Sequence, residues 1–469
     1  MRRIALATTL LALHAAASAA PISILFVGNS YTFGRLDPVL TYNAANVRDL
    51  TKPQGPLVVG STSSTPKFSD VTGTNSYGPG MINPTTGVQG NSFSPHTQTN
   101  GWGGVAGNFK QLTVQAGLDY DVALSTRNAA TLRGHLINSA NSTNWDLRGN
   151  ISSQSWDKMV LQEQSDEALG PQTVNGVALG SNLPSIKAYV DLIEDWVHTG
   201  RVTLAPGAAA VTSYNEQAMY IAQYGSVDAC VAAGGTKRPA PTVAVPNPAA
   251  GTCDNTTTRN LGVNANARAA TEIYLQQTWA RPNLINAPGA TTINGVTGNA
   301  TYSGPAAPSY FSTLEAMTSE MTAGMTSVAN YADDDGTSGI KGIIPVGQAF
   351  LIAVQAGFAT RNMYAADALT DDLIDLWFND GTHASVAGSY LSALTNFGSI
   401  TGLDPAMFGA GERAARELGL SAREAVLLQS VASFQLGFRT SVPEPGSLAL
   451  VAVALLALLA VPLARRRKQ

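Results

Sequence analysis

The chain has 469 residues, 44% of them hydrophobic, which is ample for a large core and leaves room for more than one domain. Charged residues make up only 13%, well below the usual quarter, with Asn, Thr, Ser, Gly and Ala in their place. The formal charge is −4, and losing the terminal cations Arg2, Arg3, Arg465, Arg466, Arg467 and Lys468 would take it to −10, a balance that argues against nucleic acid as a partner.

Residues 1–20 have the layout of a secretory signal peptide, with Arg2 and Arg3, an apolar stretch from Ile4 to Leu13, and Ala17-Ser18-Ala19 before a cut after Ala19 or Ala20. The mature chain then opens on Ile22 to Thr32, ISILFVGNSYT. An apolar run closed by Gly28 reads as a buried parallel strand ending in a tight loop. Ligands of open α/β sheets bind beyond such carboxyl ends, which puts Ser30 where a nucleophile would sit.

Leu36 to Leu50 suits one helix or two short ones. Residues 60–107 have no sustained period and read as a long polar insertion. Tyr77, Phe93, His96, Trp102 and Phe109 are scattered around it, either as anchors pinning the loop to the body or as the lining of a cleft. Phe109 to Ala116 reads as a helix, and Tyr120 to Thr126 as a second strand, followed by Asn128-Ala129-Ala130 and a helix start carrying His135. Trp156 to Ser165 reads as a third strand, whose polar tail puts Gln162 and Gln164 on one side by the period of two. Ile186 to Val197 reads as an amphipathic helix.

Residues 203–262 read as a second insertion. They hold both cysteines, Cys230 and Cys253, around a Gly/Pro/Ala-rich segment, and in an exported protein these are expected to form one disulfide worth about 3 kcal/mol. Neither cysteine has the neighbours that a metal site needs, and no metal or cofactor is expected. Strand Glu272 to Trp279, helix Phe311 to Tyr331 with Leu314, Met317, Met321 and Met325 on one face, strand Gly342 to Gly347 and helix Ala349 to Gly357 complete an alternation. Strand–helix alternation of this kind predicts a parallel sheet with helices on both faces.

Of five histidines, His14 leaves with the signal peptide, so His96, His135, His198 and His383 are the candidate bases. His383 follows Asp380-Gly381-Thr382 in a turn that enters a helix. That spacing lets the Asp380 carboxylate accept from Nδ1 and leaves Nε2 to take a proton from a serine. It also suits an Asp N-cap followed by a surface histidine.

Gly28-Asn29-Ser30-Tyr31-Thr32 and Asp380-Gly381-Thr382-His383 together resemble the first and last sequence blocks of the SGNH (GDSL-like) hydrolases, over roughly residues 22–398. The resemblance implies a three-layer, flavodoxin-like α/β fold and ester hydrolysis, with Ser30 as nucleophile, His383 as general base and Asp380 as its orienter. Two blocks depart from the family pattern. Asn128-Ala129-Ala130 stands where the family has an oxyanion-hole glycine, and Leu161-Gln162-Glu163-Gln164-Ser165 stands where it has Gly-x-Asn-Asp, as in a divergent branch of that family. The expected oxyanion donors are the N–H groups of Ser30 and of Ala129 or Ala130, with the side chain of Gln164, or else Gln162. The resemblance implies a serine esterase acting through an acyl-enzyme, and the exported compartment alone makes O-acetyl groups of extracellular polysaccharide the expected substrate. The competing expectation is a non-catalytic surface protein that binds glycan on the same scaffold.

The hydrolase domain is therefore expected over 21–400, followed by a helical tail or linker over 401–441. Residues 442–469 begin Val442-Pro443-Glu444-Pro445, continue through 18 uncharged residues from Ser447 to Ala464, and end on Arg465-Arg466-Arg467-Lys468. They resemble the PEP-CTERM sorting signal, with a transmembrane helix and a cytoplasmic basic cluster. The resemblance implies a precursor anchored in the inner membrane of a Gram-negative bacterium, an exosortase-type protease as processing partner, and release to the cell surface or matrix.

Overall fold

In the computed structural model, Ile22–Gly28 forms β1, near the middle of a six-stranded parallel sheet. The structure describes residues 20–34, 38–50, 102–127, 129–137, 146–216, 218–220, 258–293, 300–333, 336, 339–368 and 370–441. The other strands are β2 (Arg48–Asp49), β3 (Tyr120–Thr126), β4 (Lys158–Gln162), β5 (Glu272–Gln276) and β6 (Gly342–Ile344), in spatial order β6-β5-β4-β1-β3-β2. Without the two-residue edge strand β2 this is the flavodoxin-like order 2-1-3-4-5. Alternation along β1 sends Ile24 and Phe26 into the core on one face and Leu25 and Val27 into the core on the other, giving three layers.

Register gathers the loops that matter. Gly28 pairs with Thr126, Val27 with Leu161, and Gln162 with Gln276, so β1, β3, β4 and β5 end side by side. The segments that follow them meet at one edge of the sheet.

The helices are α1 (Ser30–Phe33), α2 (Gly104–Gln115), α3 (Leu132–Ile137), α4 (Leu147–Ile151), α5 (Leu183–His198), α6 (Leu314–Ala332), α7 (Val346–Gln355), α8 (Val386–Thr401), α9 (Arg413–Glu417) and α10 (Ala422–Gln435). Helix α6 buries the whole expected stripe of Leu314, Met317, Met321 and Met325.

Several elements differ from the sequence expectation. Of the span Leu36 to Leu50, the described residues 38–50 hold a 3-10 turn at Ala44–Asn46 before β2 rather than a longer helix. Helix α2 starts at Gly104, inside the span read as insertion, because Gly103 and Gly107 lie against the Tyr42 backbone, where a side chain would collide. Trp102 packs on Phe33 with the rings tilted and Phe109 meets Phe26 edge-on, so both are anchors, while Tyr77, Phe93 and His96 lie outside the described residues.

Helix α5 has the expected amphipathic pattern, but its polar side, with Asp191, Glu194 and Asp195, is buried as well. The second insertion covers it through a buried ion cluster. Arg133 donates to both Glu216 oxygens at 2.8 and 2.9 Å, Arg259 reaches Oε2 at 2.7 Å, and the Tyr189 hydroxyl bonds Oε1. Taking one partner from such a cluster strands the others without water. Cys230 and Cys253, most of the signal peptide and residues 442–469 lie outside the described residues.

Residues beyond α8 pack onto the body. Helix α10 buries Leu427, Leu428, Val431 and Ala432, the Gln429 amide donates to the Tyr390 hydroxyl at 3.1 Å, and Tyr42 donates to Glu417 at 2.8 Å.

Candidate active site

Gly28 ends β1 beneath two polar side chains. A Cβ there would lie 2.4 Å from Thr32 Oγ1 and 2.5 Å from Gln162 Oε1, so a side chain at this position would displace both oxygens. Asn29 then caps α1, its Oδ1 accepting from the Tyr31 N–H at 3.1 Å, and Ser30 becomes the first helical residue. Its side chain is nearly buried, and its own N–H has no acceptor among the described residues, as expected in a first helical turn.

The histidine arrives from the far end of the chain. Trp377 bridges Ala384, the Phe378 N–H donates to the His383 carbonyl at 2.8 Å, and Gly381 adopts φ +65° between them. Two tryptophans fix this loop against the segment after β5: Trp279 Nε1 donates to the Thr382 carbonyl at 3.0 Å and Trp377 Nε1 to the Ala280 carbonyl at 2.9 Å. Trp279 lies stacked on Phe350 and packs against Tyr31, whose ring meets the His383 imidazole edge-on at 5.3 Å. Burial pushes the Tyr31 phenol up to about 12, so it stays neutral beside the histidine.

The Asp380 carboxylate serves the loop and the ring together. Oδ1 accepts from the Thr382 and His383 N–H groups, both at 2.9 Å, and Oδ2 accepts from His383 Nδ1 at 2.7 Å. Helix α8 is capped by Ser385 instead, which excludes the N-cap role for Asp380. With Nδ1 protonated, Nε2 is an acceptor, and the Ser30 hydroxyl donates to it at 2.9 Å. Ser30, His383 and Asp380 thus form one hydrogen-bonded chain across 353 residues of sequence.

His135 and His198 are accounted for elsewhere. His135 Nε2 donates to the Gly28 carbonyl at 2.9 Å, and burial, aided by Arg127, pulls its pKa down to about 4. His198, the last residue of α5, bonds Glu194 one turn earlier and the Thr271 carbonyl.

Of the expected oxyanion donors, two are committed to other bonds. The Ala130 N–H donates to the Arg127 carbonyl at 3.1 Å, closing a turn, and is unavailable. Gln162 is fully buried, and its Oε1 accepts from the Asn29 N–H at 3.0 Å and the Thr32 hydroxyl at 2.8 Å, so it supports the serine turn from below. Both glutamine side chains reach Asn29, Gln162 at its N–H and Gln164 at its Nδ2, although β4 itself stops at Gln162.

Gln164 lies in the loop, half-buried, with Oε1 taking the Asn29 Nδ2 hydrogen at 3.1 Å and Nε2 left as the donor end. Ala129 is exposed with φ +55°, the conformation a glycine would adopt without strain, at a cost of about 1–2 kcal/mol for an L-residue. Its N–H stays a candidate with that of Ser30.

Sequence reading missed three contributors. Asn29 ties the loops after β1, β3 and β4 together, donating to the Ala130 carbonyl as well as to Gln164. Glu163, 4% exposed, accepts from the Leu132 N–H at 3.0 Å and the Gln164 N–H at 2.6 Å. Arg281 donates to the Ser165 hydroxyl at 2.8 Å and to Asn283 Oδ1 at 3.2 Å, while the Asn283 N–H holds the Gly381 carbonyl. Asn29 had a signal, as a cap residue ahead of a helix; Glu163 and Arg281 had none without the fold.

Beside that segment is a cavity of about 200 Å³ lined by Pro282, Ile285, Asn286, Thr313, Arg361 and Asn362. Among the described residues no group of three His, Cys, Asp or Glu side chains is placed to hold a metal ion.

Residues 441–468 match the PEP-CTERM protein-sorting motif. The chain carries an export-sorting signal. It directs the protein to the cell envelope or surface and implies an exosortase-type processing partner. Among the described residues no helix is long and apolar enough to cross a membrane; the apolar stretch 447–464 lies outside them.

No curated protein matches the chain. Among solved structures, a DUF4886 family protein from Bacteroides uniformis is similar at 12% identity and TM-score 0.36, covering 91% of this chain and 99% of its own. A protein from Slackia heliotrinireducens, described as "a putative SGNH hydrolase", is similar at 13% identity and TM-score 0.32, covering 81% of this chain and 100% of its own. At these values neither neighbour says what this chain does, and the chemistry has to come from the site.

Proposed function

We propose that this chain is an exported serine esterase of the SGNH type. The observation that carries the reading is the unbroken relay from Asp380 Oδ2 to His383 Nδ1 at 2.7 Å and from His383 Nε2 to Ser30 Oγ at 2.9 Å. Ser30 Oγ attacks the ester carbonyl while His383 takes its proton, and the imidazolium is stabilised by Asp380. The Ser30 and Ala129 N–H groups and Gln164 Nε2 receive the oxyanion. His383 then protonates the leaving alkoxide, and a water activated by the same ring hydrolyses the acyl-Ser30 ester to release the acid.

The substrate proposed is an O-acetyl ester on extracellular polysaccharide of a Gram-negative matrix. What supports it is the sorting signal at 441–468, which sends the protein to where such polymers lie.

The test uses protein lacking residues 1–20 and 442–469. Wild type should hydrolyse p-nitrophenyl acetate and label with a fluorophosphonate, and Ser30→Ala should do neither. Equal inertness of the two would end the esterase reading and leave glycan binding without catalysis as the function to pursue.

A further inference from the structure

The three proposed oxyanion donors sit on three different loops, after β1, β3 and β4, and something must hold those loops in mutual register. We propose that Glu163 is the positioning residue that does so, keeping the Ala129 turn in its left-handed form; this rests on the esterase reading. Three observations converge on it. Glu163 is buried, and its two oxygens accept from one N–H on each of two donor-bearing loops, Leu132 at 3.0 Å and Gln164 at 2.6 Å. The turn it holds contains Ala129 at φ +55°, three residues before Leu132, closed by the bond from the Ala130 N–H to the Arg127 carbonyl. The same loop is tied to Asn29 and so to Ser30.

A glycine would hold the left-handed conformation at no steric cost, whereas alanine needs an external constraint. Anchoring the first N–H of α3 to a buried carboxylate supplies that constraint. It also fixes the distance between the Ala129 N–H and Gln164, because the second oxygen of the same carboxylate holds the Gln164 backbone. Glu163 touches no substrate in this scheme; it acts through the positions of other groups.

The experiment compares Glu163→Gln with wild type in p-nitrophenyl acetate hydrolysis, in both the native and the Ala129→Gly backgrounds. Glutamine keeps the shape but turns one acceptor into a donor that faces an N–H. The expected result is a fall in kcat of about 100-fold with KM within about twofold, since a displaced oxyanion donor weakens only the transition state. In the Ala129→Gly background the same change should cost about tenfold or less, because glycine holds the turn unaided.

An unchanged kcat, a KM that moves as far as kcat, or an equal loss in both backgrounds overturns the proposal. If Glu163→Gln does not fold, Glu163→Asp, which retracts both oxygens, must show the same kcat loss. Amide hydrogen exchange gives a readout independent of turnover. Exchange at Ala130 and Leu132, whose N–H groups are bonded to Arg127 and Glu163, should rise at least about tenfold in the variant while α5 stays protected, and unchanged exchange overturns the proposal. Inert wild type with the expected exchange pattern would instead locate the failure in the esterase reading.

Discussion

Gln162 and Gln164 are two residues apart and chemically identical, yet replacing each by methionine should damage different properties. Methionine nearly preserves side-chain volume, so the comparison isolates the amide. At Gln162 the change removes the acceptor for the Asn29 N–H and the Thr32 hydroxyl, in a place with no access to water. Each stranded buried donor costs about 1–3 kcal/mol, so Gln162→Met should lose roughly 2–6 kcal/mol of folding free energy.

At Gln164 the side chain is half-buried, and Asn29 Nδ2 keeps its second acceptor at the Ala130 carbonyl. Gln164→Met should therefore cost less than about 1 kcal/mol of stability. It should lower kcat for p-nitrophenyl acetate by about 10²–10³-fold as an oxyanion donor is lost. Urea unfolding followed by tryptophan fluorescence measures the first quantity, and initial-rate kinetics the second. Equal stability losses in the two variants, or full activity in Gln164→Met, would refute the assignment of one amide to scaffold and the other to chemistry.

Acid should destabilise the fold partly through His135. Its folded pKa is lowered to about 4, below the ordinary value near 6.5, so the unfolded chain binds the extra proton first and stability falls as pH drops from about 6.5 to about 4. The contribution is about 3 kcal/mol across that window. His135→Gln, which keeps a donor for the Gly28 carbonyl, should show a correspondingly shallower loss between pH 6.5 and 4 in denaturant titrations. Gly381→Ala should inactivate as well as destabilise. Its φ is +65° and a Cβ would lie 2.1 Å from the Tyr364 hydroxyl, so His383 must shift away from Ser30. Full fluorophosphonate labelling of Gly381→Ala would show that the loop tolerates the strain.

Much of the site is legible in the chain because it depends on short-range pattern. An apolar run ended by Gly28 places Ser30 at the carboxyl end of a strand, and Asp380 and His383 are three apart around a glycine. Their expected roles follow from residue type and local spacing, and the structure brings the three side chains into contact at 2.7 and 2.9 Å. The helical stripe of α6 and the alternation of strand and helix are legible for the same reason, since periodicity is a local property; the flavodoxin-like strand order is expected only from the family resemblance.

The oxyanion side of the site is different. That Ala130 closes a turn while Ala129 is left over, and that Gln162 faces inward while Gln164 does not, depends on where β4 stops beside β1 and β3. Parallel strands from distant parts of the chain set that register, and no local spacing encodes it. Gly28, Asn29 and Ser30 by themselves determine a strand end with a capped serine. Only the tertiary structure decides what surrounds it, because Gln164 and His383 reach it through contacts across 135 and 353 residues of chain.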